Sequence, residues 1–186
     1  MPRPGNRPPE LAIPVASLAA LRVALAQEVG SDAAARALAA AGQAAGDALF
    51  GQLTAAAGDS DNGAAALADV SENAFWRRLS QLFSSRGWGT LSHTPAHEGV
   101  GALATPDWVE ADTKANSARP SCFFTTGVLA NLLGNAAGAP ISVLEVECRS
   151  RGDARCRFLF GSAEAMDAVY SRVGDGASVE AVLGEL

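Results

Sequence analysis

VLEVECRSRGDARCRF, residues 143–158, is the stretch that decides how this chain is expected to fold. Its first half is rich in residues that favour β-strands, its centre carries a glycine and an aspartate typical of turns, and its end is apolar again. We therefore predict a hairpin with strands over 141–148 and 156–160, joined by a turn over 149–153. Pairing of these strands would bring Cys148 and Cys156, on opposite sides of the turn, within a few ångströms of each other.

The rest of the chain predicts helices and one further hairpin. Apolar residues at helical spacing, bounded by capping residues and glycines, predict helices over 18–29, 31–58, 69–86, 122–133, 162–173 and 178–186. Two strands are predicted over 88–94 and 100–105, with a turn over 95–99, and Trp108-Val109 as further extended chain. This order predicts an α+β fold, an antiparallel sheet packed with helices.

Several helix boundaries carry specific signals. Ser17 is expected to cap the first helix, and Asp69 with Glu72 has the spacing of a capping box at the third. The first two helices are expected to pack together. In the second, Gly42 and Gly46 would let another backbone approach closely, because glycine has no side chain.

Length and charge limit the classes of function. The chain has 186 residues, of which 48% are hydrophobic, so we expect one domain over 15–186 behind a flexible proline-rich arm over 1–14. The net charge of -6 argues against direct binding of nucleic acid. Neither a signal sequence nor a membrane span is recognisable, so the expected location is cytoplasmic.

Three cysteines and a glutamate are candidate ligands of one zinc ion. Cys122 starts a predicted helix, Cys148 and Cys156 face each other across the hairpin, and Glu145 lies close by. Zinc binds thiolates and carboxylates in tetrahedral geometry. Because the sequence has no Cys-x-x-Cys pair, buried thiols or a Cys148–Cys156 disulfide are alternatives.

A zinc site of this kind makes two demands on the hairpin. In a flat strand Glu145 and Cys148 would point to opposite faces, so a bulge or strand end after Val146 is required, with Glu147 as the alternative carboxylate. Three thiolates and a carboxylate carry excess negative charge. The hairpin arginines could compensate for it or form a solvated turn; they are Arg149, Arg151, Arg155 and Arg157.

The run CFFTTGVLA, residues 122–130, together with residues 143–158, resembles the 4-vinyl reductase domain family. The helical segment 24–53 is similar to the opening helices of that family, and the resemblance extends over about 18–174. It implies zinc bound by Cys122, Glu145, Cys148 and Cys156. It also implies the fold of vesicle-tethering-complex subunits, which usually form dimers.

In sensor members of this family an aromatic effector is buried between helices and sheet, near the hairpin that carries the zinc. The resemblance therefore suggests a ligand pocket here, although core packing alone would explain the aromatic residues. The candidate pocket residues are Phe75, Trp76, Trp88, Trp108, Phe123, Phe124 and His93. Phe123 and Phe124 follow a zinc ligand directly, and His93 could hydrogen-bond a ligand hydroxyl.

The resemblance implies a stand-alone, zinc-stabilised sensor or carrier of a hydrophobic small molecule, aromatic or tetrapyrrole-like. Because no ATPase or DNA-binding module is recognisable, signalling would require a partner protein. An accessory role in bacteriochlorophyll vinyl reduction and a dimeric interaction module are the alternatives. Catalysis is not expected, since no nucleotide, flavin or iron–sulfur motif is evident.

Overall fold

A computed structural model describes residues 10–55, 67 and 70–186. The helices are α1 (Val15–Val29), α2 (Ser31–Ala55), α3 (Glu72–Ser84), α4 (Phe123–Ala137), α5 (Ala163–Gly174) and α6 (Val179–Leu183). The strands are β1 (Ser92–His97), β2 (Val100–Thr105), β3 (Ser142–Glu147) and β4 (Cys156–Gly161). A 3₁₀ turn, Arg149–Arg151, connects β3 to β4. Most of the predicted arm, residues 1–9, lies outside the described residues.

The four strands form one antiparallel sheet in the order β1-β2-β4-β3. Each predicted hairpin is present, and the two join where β2 pairs with β4. The predicted α+β fold with an antiparallel sheet is therefore confirmed. Within the described ranges, none of the helices combines the length and apolar character needed to cross a bilayer.

The first face of the sheet packs against α4 and the helices around it. Leu103 of β2 lies opposite Phe158 of β4, and both are buried on this face. They belong to a core that includes Leu129 and Leu132 of α4, which we call the inner cluster. The three cysteines are part of the same cluster. The candidate metal ligands thus lie within the main hydrophobic core.

The second face of the sheet packs against α5 and α6. Ala102 and Leu159, which pair across β2 and β4, point to this side because strand side chains alternate. They pack with Met166 and Val169 of α5 in a separate core, which we call the outer cluster. The sheet is therefore covered on both faces.

Glycines allow α2 and α4 to pack at very short range. A Cβ atom added to Gly42 would lie 2.0 Å from the carbonyl oxygen of Phe124, and one added to Gly127 would lie 2.0 Å from that of Ala39. The close approach predicted at Gly42 is confirmed, and α4 is the helix that makes it. The predicted packing of α1 on α2 is also present.

The first hairpin begins later than predicted. β1 starts at Ser92 rather than Trp88, because the preceding chain turns through Gly87 and Gly89, which adopt φ of 72° and 128°. The strand then runs through Pro95, which is tolerated because β1 is an edge strand. The predicted turn over 95–99 is therefore shorter in the structure.

Trp108-Val109 does not form the predicted extended segment. These residues lie in a loop, and the backbone N–H of Val109 donates to the carbonyl of Trp88 at 2.8 Å. The contact ties the loop to the chain after α3 without extending the sheet.

Two helix boundaries were predicted wrongly. α1 begins directly after Pro14, so Ser17 lies inside the helix and does not cap it. α4 continues through Gly134 and ends at Gly138, which adopts the left-handed conformation with φ 64°. A glycine within an apolar helix does not by itself show where the helix stops.

The cap of α3 also differs from the prediction. Ser71 accepts a hydrogen bond from the backbone N–H of Ala74 at 3.4 Å, which makes it the N-cap. Asp69 and the predicted helix end near Gly58 lie outside the described residues. At the other end of the chain, the predicted caps Ser162 and Ser178 are confirmed.

Candidate functional site

The four predicted ligands meet at one buried point. One ligand atom from each of Cys122, Glu145, Cys148 and Cys156 lies within 4.8 Å of the other three. Cys122 immediately precedes α4, Glu145 lies in β3, Cys148 follows β3, and Cys156 begins β4. The site therefore joins the start of one helix to both arms of the hairpin.

A β-bulge resolves the difficulty over strand direction. Glu145 lies opposite Phe158, but Glu147 rather than Val146 occupies the next paired position. Val146 is thus the extra residue, and the alternation of side chains shifts by one. Glu145 and Cys148 consequently reach the same side of the hairpin, as the predicted bulge requires.

Glu147, the alternative carboxylate, is engaged elsewhere. It forms ion pairs with Arg155 at 2.8 Å and with Arg157 at 3.3 Å. Its hydrogen bond with Arg155 holds the pKa of the carboxyl below its ordinary value, although partial burial opposes this effect. Glu145 is therefore the carboxylate available to a metal.

The sulfur separations fit a tetrahedral zinc ion. Cys122 Sγ lies 3.9 Å from Cys148 Sγ and 4.0 Å from Cys156 Sγ. Zinc–sulfur bonds of about 2.3 Å at tetrahedral angles place two sulfurs about 3.8 Å apart. All three cysteines are free, so the alternative Cys148–Cys156 disulfide is not formed.

Glu145 presents one oxygen that needs a partner. Its Oε2 accepts a hydrogen bond from the backbone N–H of Cys122 at 2.8 Å, whereas the buried Oε1 has no hydrogen-bond partner among the described residues. Burial first, and then the neighbouring Cys148, raise the pKa of Glu145 to about 8. A cation at Oε1 would satisfy the orphaned atom and keep the carboxylate ionised. The donor set thus fits a bound metal.

The hairpin arginines do not point their charge at the sulfurs. Arg151 pairs with Asp153 at 2.7 Å, and Arg155 and Arg157 pair with Glu147. The direct contribution at this position is a backbone group, because the N–H of Arg149 donates to a ligand sulfur at 3.5 Å. The expected compensation by these side chains is therefore not seen in these contacts.

Glu110 is a buried carboxylate that the sequence analysis missed. Its two oxygens accept hydrogen bonds from the backbone N–H groups of Phe124 at 3.0 Å and Thr125 at 2.8 Å. It therefore caps α4 beside Cys122, from a loop distant in sequence, where no local capping pattern could reveal it. Burial raises the pKa of Glu110 to about 7.

A hydrogen-bonded chain extends from Glu110 into the core. The hydroxyl of Thr125 donates to Glu110 at 2.5 Å and accepts from the indole N–H of Trp108 at 2.6 Å. Both polar ends of this chain are thus satisfied inside the protein. It connects the first turn of α4 with the aromatic core.

The candidate pocket residues divide into two groups. The first group is core: Trp108 is 1% exposed, and its ring lies 5.3 Å from Phe83 and 6.4 Å from Phe158 between centroids. Trp88 and Phe124, whose centroids are 6.0 Å apart, pack against the same cluster. Core packing therefore accounts for these three predicted residues.

The second group borders a cavity. Trp76 and His93 stack with ring centroids 3.9 Å apart and line a space of ≈ 330 Å³. Phe75 meets Trp76 edge to face at 4.8 Å. Phe123, the first residue of α4, has no ring contact with either group among the described residues. The polar residues of the cavity are Asn73, Arg77 and Ser80.

The comparison with known families concerns the second half of the chain. Residues 107–162 match the family model of the 4-vinyl reductase domain. The resemblance to the 4-vinyl reductase family is confirmed. All four candidate ligands lie inside the matched residues, as does Glu110, whereas α1, α2 and α3 precede them.

Two solved structures share the fold of this 4-vinyl reductase domain chain. The phenol-responsive sensory domain of the transcription activator PoxR, solved with phenol, is 19% identical with a TM-score of 0.65, over 83% of this chain and 77% of that one. A vinyl-4-reductase family protein from Methanocaldococcus jannaschii is 16% identical with a TM-score of 0.53, over 81% and 82%. A search of curated protein sequences found no match.

Proposed function

We propose that this chain is a sensor or carrier of a hydrophobic small molecule, with its fold stabilised by zinc. The observation that carries the proposal is the buried set of three sulfurs and one orphaned carboxylate oxygen. Four protein donors leave no open position for water or substrate, so the metal would be structural. In this proposal residues 15–186 act as one domain.

The chemistry of the donors supports zinc as the metal. Thiolates select soft or borderline ions, and tetrahedral sites dominated by sulfur are typical of zinc. Cys122, Glu145, Cys148 and Cys156 would hold it. Bound zinc would link α4 to β3 and β4 and so contribute directly to the free energy of folding.

The Trp76–His93 cavity supports an aromatic ligand. Its ≈ 330 Å³ is at the small end of the range for ligand sites, which favours a compound of one or two rings over a tetrapyrrole. Trp76 offers a face for stacking, and His93 offers a ring nitrogen to a hydroxyl. Burial lowers the pKa of His93, which favours the neutral ring. The fold likeness to a phenol-responsive sensory domain supports a sensor role.

The proposal includes a homodimer that signals through a partner protein. Leu21 and Val23 of α1 are 49% and 52% exposed, and no residue of α1 is buried, which is consistent with an unfilled contact surface. No observation on the described residues favours the accessory role in bacteriochlorophyll synthesis, which stays a prediction from the resemblance.

Native mass spectrometry of freshly purified protein tests the metal and the assembly together. We expect one zinc ion per chain and the mass of a dimer. Glu145→Gln should lose zinc, whereas the control Glu147→Gln, in the same strand, should retain it. Protein without zinc would overturn the metal centre, and zinc loss in the control alone would overturn the ligand assignment.

Titration with phenol and two-ring aromatics, followed by tryptophan fluorescence, tests the ligand site. His93→Ala should weaken binding about tenfold, as expected for loss of one hydrogen bond. The control is His97→Ala, at the exposed turn of the same hairpin. Absence of binding by the unaltered protein, or an equal loss in the control, would contradict this assignment.

A further inference from the structure

The proposed metal centre requires more positive charge than zinc alone supplies. Three thiolates and one carboxylate exceed the charge of a divalent ion, and the site is buried, where uncompensated charge is costly. Arg151, Arg155 and Arg157 are paired with carboxylates of the hairpin. A compensating group therefore has to come from elsewhere in the structure.

Arg22 of α1 reaches the site through one hydroxyl group. Its Nη1 donates a hydrogen bond to Ser121 Oγ at 3.2 Å, and Ser121 Oγ lies 3.9 Å from Cys148 Sγ. Since the hydroxyl oxygen accepts from Arg22, its hydrogen is free to donate to the sulfur. A metal-bound thiolate can only accept, so the two hydrogen bonds would run in one direction, towards Cys148.

The position of Arg22 is unusual within its helix. No residue of α1 is buried, yet the Arg22 side chain is only 14% exposed and points towards the inner cluster. Its other partner is Asp112, at 3.9 Å, whose side chain is 37% exposed. A guanidinium screened from water in this way acts on nearby charges more strongly than a solvated one.

We propose that Arg22 compensates the negative charge of the metal centre by acting through Ser121 on Cys148. It is a positioning residue, since it touches neither the metal nor a ligand atom. The inference rests on the proposed zinc site. It makes zinc affinity depend on the docking of α1, a helix that precedes the residues matched by the family model.

Zinc affinity of four variants tests this role, measured by competition with a chromophoric chelator. Arg22→Gln and Ser121→Ala should each weaken zinc binding about tenfold or more, as expected when the groups around metal ligands are removed. Arg22→Lys should recover most of the affinity because it keeps the charge. The control, Arg155→Gln, removes an arginine of the ligand-bearing hairpin and should bind zinc like the unaltered protein.

Cobalt substitution separates charge compensation from simple docking of α1. The sulfur-to-cobalt charge-transfer band reports electron density on the thiolates, so it should shift in Arg22→Gln and Ser121→Ala but not in Arg155→Gln. If Arg22→Gln fails to fold, Ser121→Ala decides, because it leaves α1 and its arginine intact. A zinc-free unaltered protein would overturn the metal centre itself, whereas zinc held equally tightly by Ser121→Ala would overturn only the role of Arg22.

Discussion

Three glutamates near the metal centre show how the surroundings of a residue decide what it can do. Glu147 has two arginine partners and is occupied. Glu110 accepts hydrogen bonds from the first turn of α4 and acts as its cap. Of the three, only Glu145 combines burial with an oxygen lacking a hydrogen-bond partner in the described part of the chain. The same residue type therefore serves as an ion-pair partner, a helix cap and a candidate ligand.

Glu110 should make stability depend on pH. Burial raises its pKa from 4.5 to about 7, so the folded protein binds this proton more tightly than the unfolded chain. Its stabilising contribution is complete below pH 4.5 and is lost as the pH rises to about 7. The full difference corresponds to roughly 3 kcal/mol. Glu110→Gln should flatten this part of the pH profile, measured by urea unfolding at a series of pH values.

The control for this measurement is Glu98→Gln, which changes an exposed carboxylate at the β1–β2 turn. Its profile should follow that of the unaltered protein. A Glu110→Gln profile as steep as that of the unaltered protein would show that Glu110 does not titrate in this range.

At the scale of elements, the contact between α2 and α4 depends on having no side chain at two positions. Gly42 and Gly127 place each helix backbone where a Cβ atom of the other would lie. The contact matters for the site, because α4 carries Cys122 at its start. The distance between two helices therefore helps to position a candidate metal ligand.

Gly42→Ala should destabilise the protein, because its Cβ would lie 2.0 Å from the Phe124 carbonyl oxygen and the helices would have to separate. We expect a loss of about 3 kcal/mol in the free energy of unfolding, measured with urea. Gly51→Ala is the matched control, since it lies in the same helix with nothing within 4 Å. It should gain up to about 1 kcal/mol from better helix propensity. Equal stability of the two variants would contradict the close contact.

At the scale of the whole molecule, the sheet separates two cores, and the candidate metal centre belongs to one of them. The inner cluster contains the three cysteines, whereas the outer cluster is built from the opposite face of the sheet with α5 and α6. Metal binding should therefore stabilise the two sides of the sheet unequally. Local stability commonly varies in this way within one fold.

Chelation of the metal should loosen the inner side first. After zinc removal, hydrogen exchange should accelerate most in the first turn of α4 and at residues 145–156, and least in α5. Returning zinc should restore protection if the apo protein remains refoldable. Mass spectrometry of the exchanging protein measures this, and uniform acceleration over all elements would contradict a separate response of the inner cluster.

Much of the fold and the ligand set could be predicted from sequence because the signals are local. The strand pattern of residues 143–158 determined the second hairpin, and the odd spacing of Glu145 and Cys148 already required a bulge. Family resemblance then singled out the four ligand positions. Neighbouring residues carry this information, so it can be read without the rest of the fold.

Only the tertiary structure decided which distant groups surround the site. Glu110 at the start of α4 and Arg22 beside Ser121 come from segments with no sequence pattern that links them to the hairpin. Packing also separated Trp108 in the core from Trp76 at a cavity, although both are large aromatic residues. Long-range contacts depend on how helices and sheet pack together, and that packing is a property of the whole chain.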